Sequence, residues 1–203
     1  LELLRKAANI GDEAFAALLP QLKVGMTENE ARIILESEML KRGSEEPSFA
    51  TIVASGNRSS MPHGVASDKV IEAGDFVTID FGSVYKGYHS DAARTHAIGE
   101  VSEEARLLIE RTRQSFFEGI KFAKEGCHLH EISNAIADYN EKHGYGVIRD
   151  LVGHGIGTKL HEDPEIPNFR QERRGIKLYE GMTLAIEPMV AMGDWKVRCL
   201  DDD

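Results

Sequence analysis

Apolar residues recur every three or four positions over residues 1–19, the spacing of one helix face, until Pro20 closes the pattern. A second helix is predicted from Thr27 to about Gly43. There the Thr27 hydroxyl can cap the first turn, and Glu30 can reach back as the other half of a capping box. The pattern then changes to β-forming runs at 49–55 and 76–81. The second of these runs through Tyr85-Lys86-Gly87 into 88–98 as a hairpin. A long amphipathic helix is predicted over 102–124 and another over 129–143. Strand-like pieces follow at 147–152, 156–161 and 182–191.

The pattern repeats. Lys23-x-Gly25 followed by Glu30, Lys41 and Gly43 recurs as Lys124-x-Gly126 followed by Glu131, Lys142 and Gly144, at a constant offset. Glu72-Ala73-Gly74 leading to Ile79-Asp80 is echoed by Tyr179-Glu180-Gly181 leading to Ile186-Glu187. Each half, about 1–100 and 101–203, therefore reads as two helices then strands, with an acid closing an apolar strand. Two such halves about a pseudo-twofold axis would bring Asp80 and Glu187 towards a shared cleft. We expect one domain of α+β class.

Composition narrows the function. With 41% hydrophobic and 29% charged residues the chain is globular, and a formal charge of −10 argues against a nucleic-acid surface. The basic run 170–177 contains Glu172 and reads as a solvated loop. No apolar stretch is long enough to cross a bilayer. Cys127 and Cys199 have neither metal-site spacing nor disulfide density, which makes cytoplasm the default compartment. The leading Leu1 and the closing Asp201-Asp202-Asp203 read as cut ends.

Three features carry candidate chemistry. Asp80 and Asp91 lie on the two hairpin arms. If Val84 faces Gly87 across the turn, the two acids are directly opposed, and like charges side by side call for a cation. In Gly153-His154-Gly155-Ile156-Gly157 the glycines allow close approach to His154. His161 follows seven residues later, and His63 sits in Met61-Pro62-His63-Gly64. The other five histidines, His89, His96, His128, His130 and His143, read as surface or supporting residues. Finally, Glu187 ends an apolar strand before Pro188, and a buried acid needs a partner. Carboxylates with an imidazole suit Mn, Fe, Co or Zn, and the lack of cysteine ligands favours a catalytic over a closed structural site.

In order, Asp80, Asp91, His154, His161 and Glu187 resemble the active-site pattern of the pita-bread metallopeptidases, the family of methionine aminopeptidases, Xaa-Pro aminopeptidases and prolidases. Residues 1–82, above all Ser48-Phe49-Ala50-Thr51-Ile52-Val53-Ala54-Ser55-Gly56, are similar to the Xaa-Pro enzymes. From Tyr85 onward, His161-Glu162-Asp163-Pro164-Glu165-Ile166-Pro167-Asn168-Phe169 and Ile186-Glu187-Pro188-Met189-Val190 are similar to bacterial methionine aminopeptidases. Such a split suits a chimera or a reconstructed intermediate. The resemblance implies a pita-bread fold and two divalent ions held by Asp80, Asp91, His154 and Glu187, with Asp91 bridging. It also implies that Glu187 shuttles a proton while His161 and His63 steady the substrate. The substrate would be the N-terminus of a peptide or nascent chain, methionine being favoured. The family's last Glu ligand has no match; Leu200 stands there in the Xaa-Pro alignment, with Asp201 beside it. Xaa-Pro cleavage, a non-catalytic module or scaffold of the same fold, and monomer or homodimer remain open from the sequence.

Overall fold

A computed structural model describes residues 1–198, which divide into two compact units. Cys199, Leu200 and Asp201 lie outside the described residues, and with them the expectations about the last ligand.

The first unit comprises Leu1–Ser102 with Gly157–Leu160. It opens with α1 (Glu2–Leu18) and α2 (Glu28–Lys41). α1 buries Ala7, Ile10, Gly11, Ala14 and Leu18, a stripe of one helix face. α2 begins at the expected capping box: the Glu30 amide donates to Thr27 Oγ1 at 3.1 Å, and the Thr27 amide donates to Glu30 Oε2 at 2.7 Å. Both helices pack on an antiparallel sheet of β1 (Ile52–Ser55), β2 (Phe76–Phe81) and β5 (Ala92–Ala97), ordered β1-β2-β5. Val77, Ile79 and Phe81 alternate onto the helix side and are essentially fully buried, with Phe81 stacked on Phe15 at 5.3 Å. Period two therefore puts Thr78 and Asp80 on the opposite, half-buried face. β1 is three residues shorter than the sequence suggests.

The hairpin carries β3 (Val84–Tyr85) and β4 (Tyr88–His89), with Val84 paired to His89 and Tyr85 to Tyr88. Its two-residue loop is Lys86-Gly87, both at positive φ (50° and 74°), the primed turn that matches strand twist. The loop is thus centred one residue later than the expected Val84–Gly87 pairing requires, which changes the register of the whole hairpin.

The second unit comprises Glu103–Ile156 and 161–198. It holds α3 (Glu103–Ile120), α4 (Leu129–Lys142) and the short strands β6 (Tyr145–Val147), β7 (Gly153–Gly155), β8 (Glu162–Ile166), β9 (Leu184–Ala185) and β10 (Val190–Met192). One sheet is ordered β8-β7-β9 and another pairs β10 with β6. Leu129, Ile132 and Ile136 of α4 form its core with Ile166 and Leu178. Three strand expectations change here. Residues 148–152 lie outside β6, the expected 156–161 strand is displaced to 153–155, and 182–191 divides into β9 and β10 around Glu187-Pro188. Pro188 has no N–H for the ladder, which accounts for the last break.

The sequence echo has a structural counterpart within each unit. The Gly25 amide donates to Ile71 O at 2.9 Å and the Ile71 amide to Met26 O at 2.8 Å. Likewise the Gly126 amide donates to Leu178 O at 3.0 Å and the Leu178 amide to Cys127 O at 2.8 Å. Gly25 and Gly126 share φ near 90°, and Thr27 bridges Val70 as His128 bridges Lys177. Among the described residues no helix is long and apolar enough to cross a membrane.

Candidate metal centre and catalytic residues

In the first unit, Asp80 pairs with Ile52 on one side and Ala93 on the other. The expected direct opposition of Asp80 and Asp91 is therefore corrected. Asp91 immediately precedes β5 and stands two residues before Ala93, so it is a diagonal neighbour on the same side of the ladder. Its position is fixed by a tight crossing. The Ser90 amide donates to Ser83 O at 2.9 Å, and the Ser83 amide donates to Ser90 Oγ at 2.9 Å. A Cβ on Gly82 would lie 1.9 Å from Ser90 O, so no side chain fits there. Both acids are half-buried.

His63 is exposed on a loop that runs beside the same sheet. Val65 bridges Ile52, which pairs with Asp80, giving the lateral order Val65, Ile52, Asp80, Ala93. The Val65 amide donates to His63 O at 2.8 Å.

In the second unit, His154 sits at the centre of β7, paired with Ala185 and 8% exposed. The flanking glycines allow the close backbone approach that was expected of them. A Cβ at Gly153 would meet Ala185 O at 2.3 Å, and one at Gly155 would meet Asp163 O at 2.2 Å. They let both neighbouring strands close on β7, and that packing locks the histidine between them. Taken with its proton on Nδ1, the His154 ring donates to Gly155 O at 2.8 Å, which leaves a lone pair on Nε2. That Nε2 lies 3.2 Å from Glu187 Oε1. Glu187 Oε1 is buried and accepts no hydrogen bond. Two lone-pair atoms cannot face each other at this distance out of water without a cation or proton between them. This donor pair fits a divalent metal. His161, exposed, sets its ring 4.3 Å from that of His154 at 71°.

Two supporting residues escaped the sequence reading. Asn168 is fully buried, and its Nδ2 donates to Glu187 O at 2.7 Å, anchoring the backbone where Pro188 breaks the ladder. The motif around Asn168 was visible in the sequence, but this role was not. Glu28, to which the sequence assigned no role, is a fully buried carboxylate with several donors. Of the five other histidines, His96 lies against Phe15 at 5.4 Å, and burial, then the charge of Arg94, holds it below the ordinary range. His128 caps α4, its amide donating to Glu131. The basic run 170–177 is a largely exposed loop, with Arg170 paired to Asp138 and Glu141 of α4.

The chain is similar along its length to known proteins. The chain is 46% identical to a methionine aminopeptidase of Clostridium perfringens, over all of this chain and 83% of that protein. It is 38% identical to an Xaa-Pro dipeptidase of Pyrococcus furiosus, over 93% of this chain and 53% of that one. A solved methionine aminopeptidase from Thermotoga maritima superposes with a TM-score of 0.93 at 37% identity, covering 99% of this chain and 83% of its own. The chain thus spans about half the length of the Xaa-Pro dipeptidases it matches. Relatives of either kind align along nearly all of this chain. The family model for metallopeptidase family M24 matches residues 2–202, and the chain belongs to that family.

Proposed function

We propose that this chain is a metal-dependent aminopeptidase that removes the N-terminal residue of a peptide or nascent chain, methionine foremost. In this reading residues 1–203 are one catalytic domain of pita-bread form with halves at about 1–100 and 101–203. Asp80, Asp91, His154 and Glu187 would hold two divalent ions, Mn, Co, Fe or Zn, with Asp91 serving both. The observation that carries the reading is the 3.2 Å approach of His154 Nε2 to the buried Glu187 Oε1, a pair that a cation or a proton would bridge. Two further supports are a pair of half-buried acids on one face of the first unit's sheet and membership of a metallopeptidase family. Oxygen and imidazole donors without thiolate suit these metals.

When bound, such ions lower the pKa of a water and polarise the carbonyl it attacks. The chain's own groups do the rest. Glu187 takes the proton from that water on a carboxylate oxygen and returns it to the leaving amine. His161 and His63, both exposed and so within reach of a peptide, donate hydrogen bonds to the substrate carbonyl oxygen and the developing oxyanion. Asn168 keeps Glu187 in place through its backbone carbonyl.

Methionine is favoured over Xaa-Pro cleavage because the chain is matched by a methionine aminopeptidase at higher identity and over more of that protein's length. The test uses two tripeptides, Met-Ala-Ser and Ala-Pro-Ala, with added Mn or Co. Release of Met from the first at a higher kcat/KM is expected. Faster hydrolysis of Ala-Pro-Ala would transfer the assignment to the Xaa-Pro branch, and turnover of neither with metal bound would leave a binding module.

A further inference from the structure

Glu28 stands in the first turn of α2 with its side chain fully buried. Its Oε1 accepts from the Ser55 amide at 2.7 Å and Ser55 Oγ at 2.9 Å. Its Oε2 accepts from the Ser67 amide at 3.0 Å and Ser67 Oγ at 2.7 Å, and pairs with Arg58. Burial alone would raise this carboxyl's pKa, but the hydrogen bonds from Ser67 and Ser55 outweigh it and hold the group below its ordinary range. The carboxylate is therefore ionised at neutral pH.

A buried ion pair is a poor way to stabilise a fold, since well-packed apolar residues do as well or better. The repeat supplies that comparison within one chain. The Glu28 amide donates to Lys69 O at 3.0 Å, and at the corresponding point of the second unit the Leu129 amide donates to Ile176 O at 2.9 Å. Leu129 is part of the second unit's apolar core. The local backbone arrangement thus forms with a leucine at this position, and the carboxylate serves something else.

What it holds is the segment between Ser55 and Ser67. Glu28 grips Ser55 where β1 ends, Arg58 one turn later, and Ser67 where the chain returns. Arg58 Nη2 donates onward to Val65 O at 2.9 Å, and the Val65 amide donates to His63 O at 2.8 Å. Lys69 braces the same point, its Nζ donating to Ser55 Oγ at 3.0 Å and pairing with Asp75 at 2.8 Å. A continuous path of hydrogen bonds therefore runs from Glu28 to the backbone of His63.

We propose that Glu28 is a positioning residue: through Arg58 and Ser67 it fixes the loop that presents His63 to the substrate. This rests on the reading of His63 as a substrate-contacting residue. The experiment is a double-mutant cycle with Glu28→Leu, the residue of the second unit, and His63→Ala, read as kcat/KM on Met-Ala-Ser with Mn. Glu28→Gln, which keeps the volume, replaces Glu28→Leu if the latter does not fold. Expected are unchanged Mn uptake by titration calorimetry, faster amide exchange over residues 56–67, and a loss of roughly tenfold to a hundredfold in kcat/KM. In the double variant the Glu28 change should cost nothing beyond His63→Ala. An equal fractional loss in the presence and absence of His63 would overturn the proposal, as would unchanged exchange in the loop. If His63→Ala alone turns over like the unaltered enzyme, the role of His63 fails first and the proposal with it, while the metal reading stands.

Discussion

Replacing Asp91 with alanine is expected to abolish both uptake of divalent metal and peptide hydrolysis. The proposed bridging role makes Asp91 the ligand whose loss affects both ions. The activated water and the polarised carbonyl then disappear together, removing several kcal/mol of transition-state stabilisation, on the order of a thousandfold or more in turnover. The fold should survive. Asp91 is half-buried and lies outside the apolar core, and its neighbour Ser90 supplies the hydrogen bonds that set the local backbone. Calorimetric titration with Mn beside a tripeptide assay checks this. Full metal uptake with lost turnover would remove Asp91 from the ligand set.

His161→Ala should separate the two properties. The ring stands edge to face with His154 but is exposed, and its proposed partner is the substrate, not a metal. Loss of one donor to a developing oxyanion costs about 10²–10³ in kcat. Mn affinity should be nearly unchanged. The same assay pair reads both, and parallel loss of metal and turnover would make His161 a ligand or a prop for His154.

Much of the helical architecture was legible in the sequence because its signals are local. The box of Thr27 with Glu30, the stripe from Ala7 to Leu18 and the alternation of Val77, Ile79 and Phe81 each determine their own neighbourhood. The repeat, too, was visible, because its turn glycines answer to local backbone geometry. What escaped depends on distant partners. Lys86 adopts positive φ, which β-propensity does not signal, and that single residue moves the hairpin register and sets Asp91 diagonal to Asp80. Glycine normally counts against a strand, yet Gly153-His154-Gly155 is one because neighbouring carbonyls occupy the space its side chains would fill. The candidate residues were readable as residue types in order, and the pairing of His154 with Glu187 supports two of them. The carboxylate of Glu28 could not be read in the same way, since its donors lie 27 to 39 positions further along the chain.

Whether these side chains share metal decides the proposed function. Anomalous diffraction from crystals soaked in Mn addresses this directly. The expected result is two Mn peaks ligated by Asp80, Asp91, His154 and Glu187, Asp91 touching both. No Mn peak at these residues, with each carboxylate separately hydrated, would contradict it.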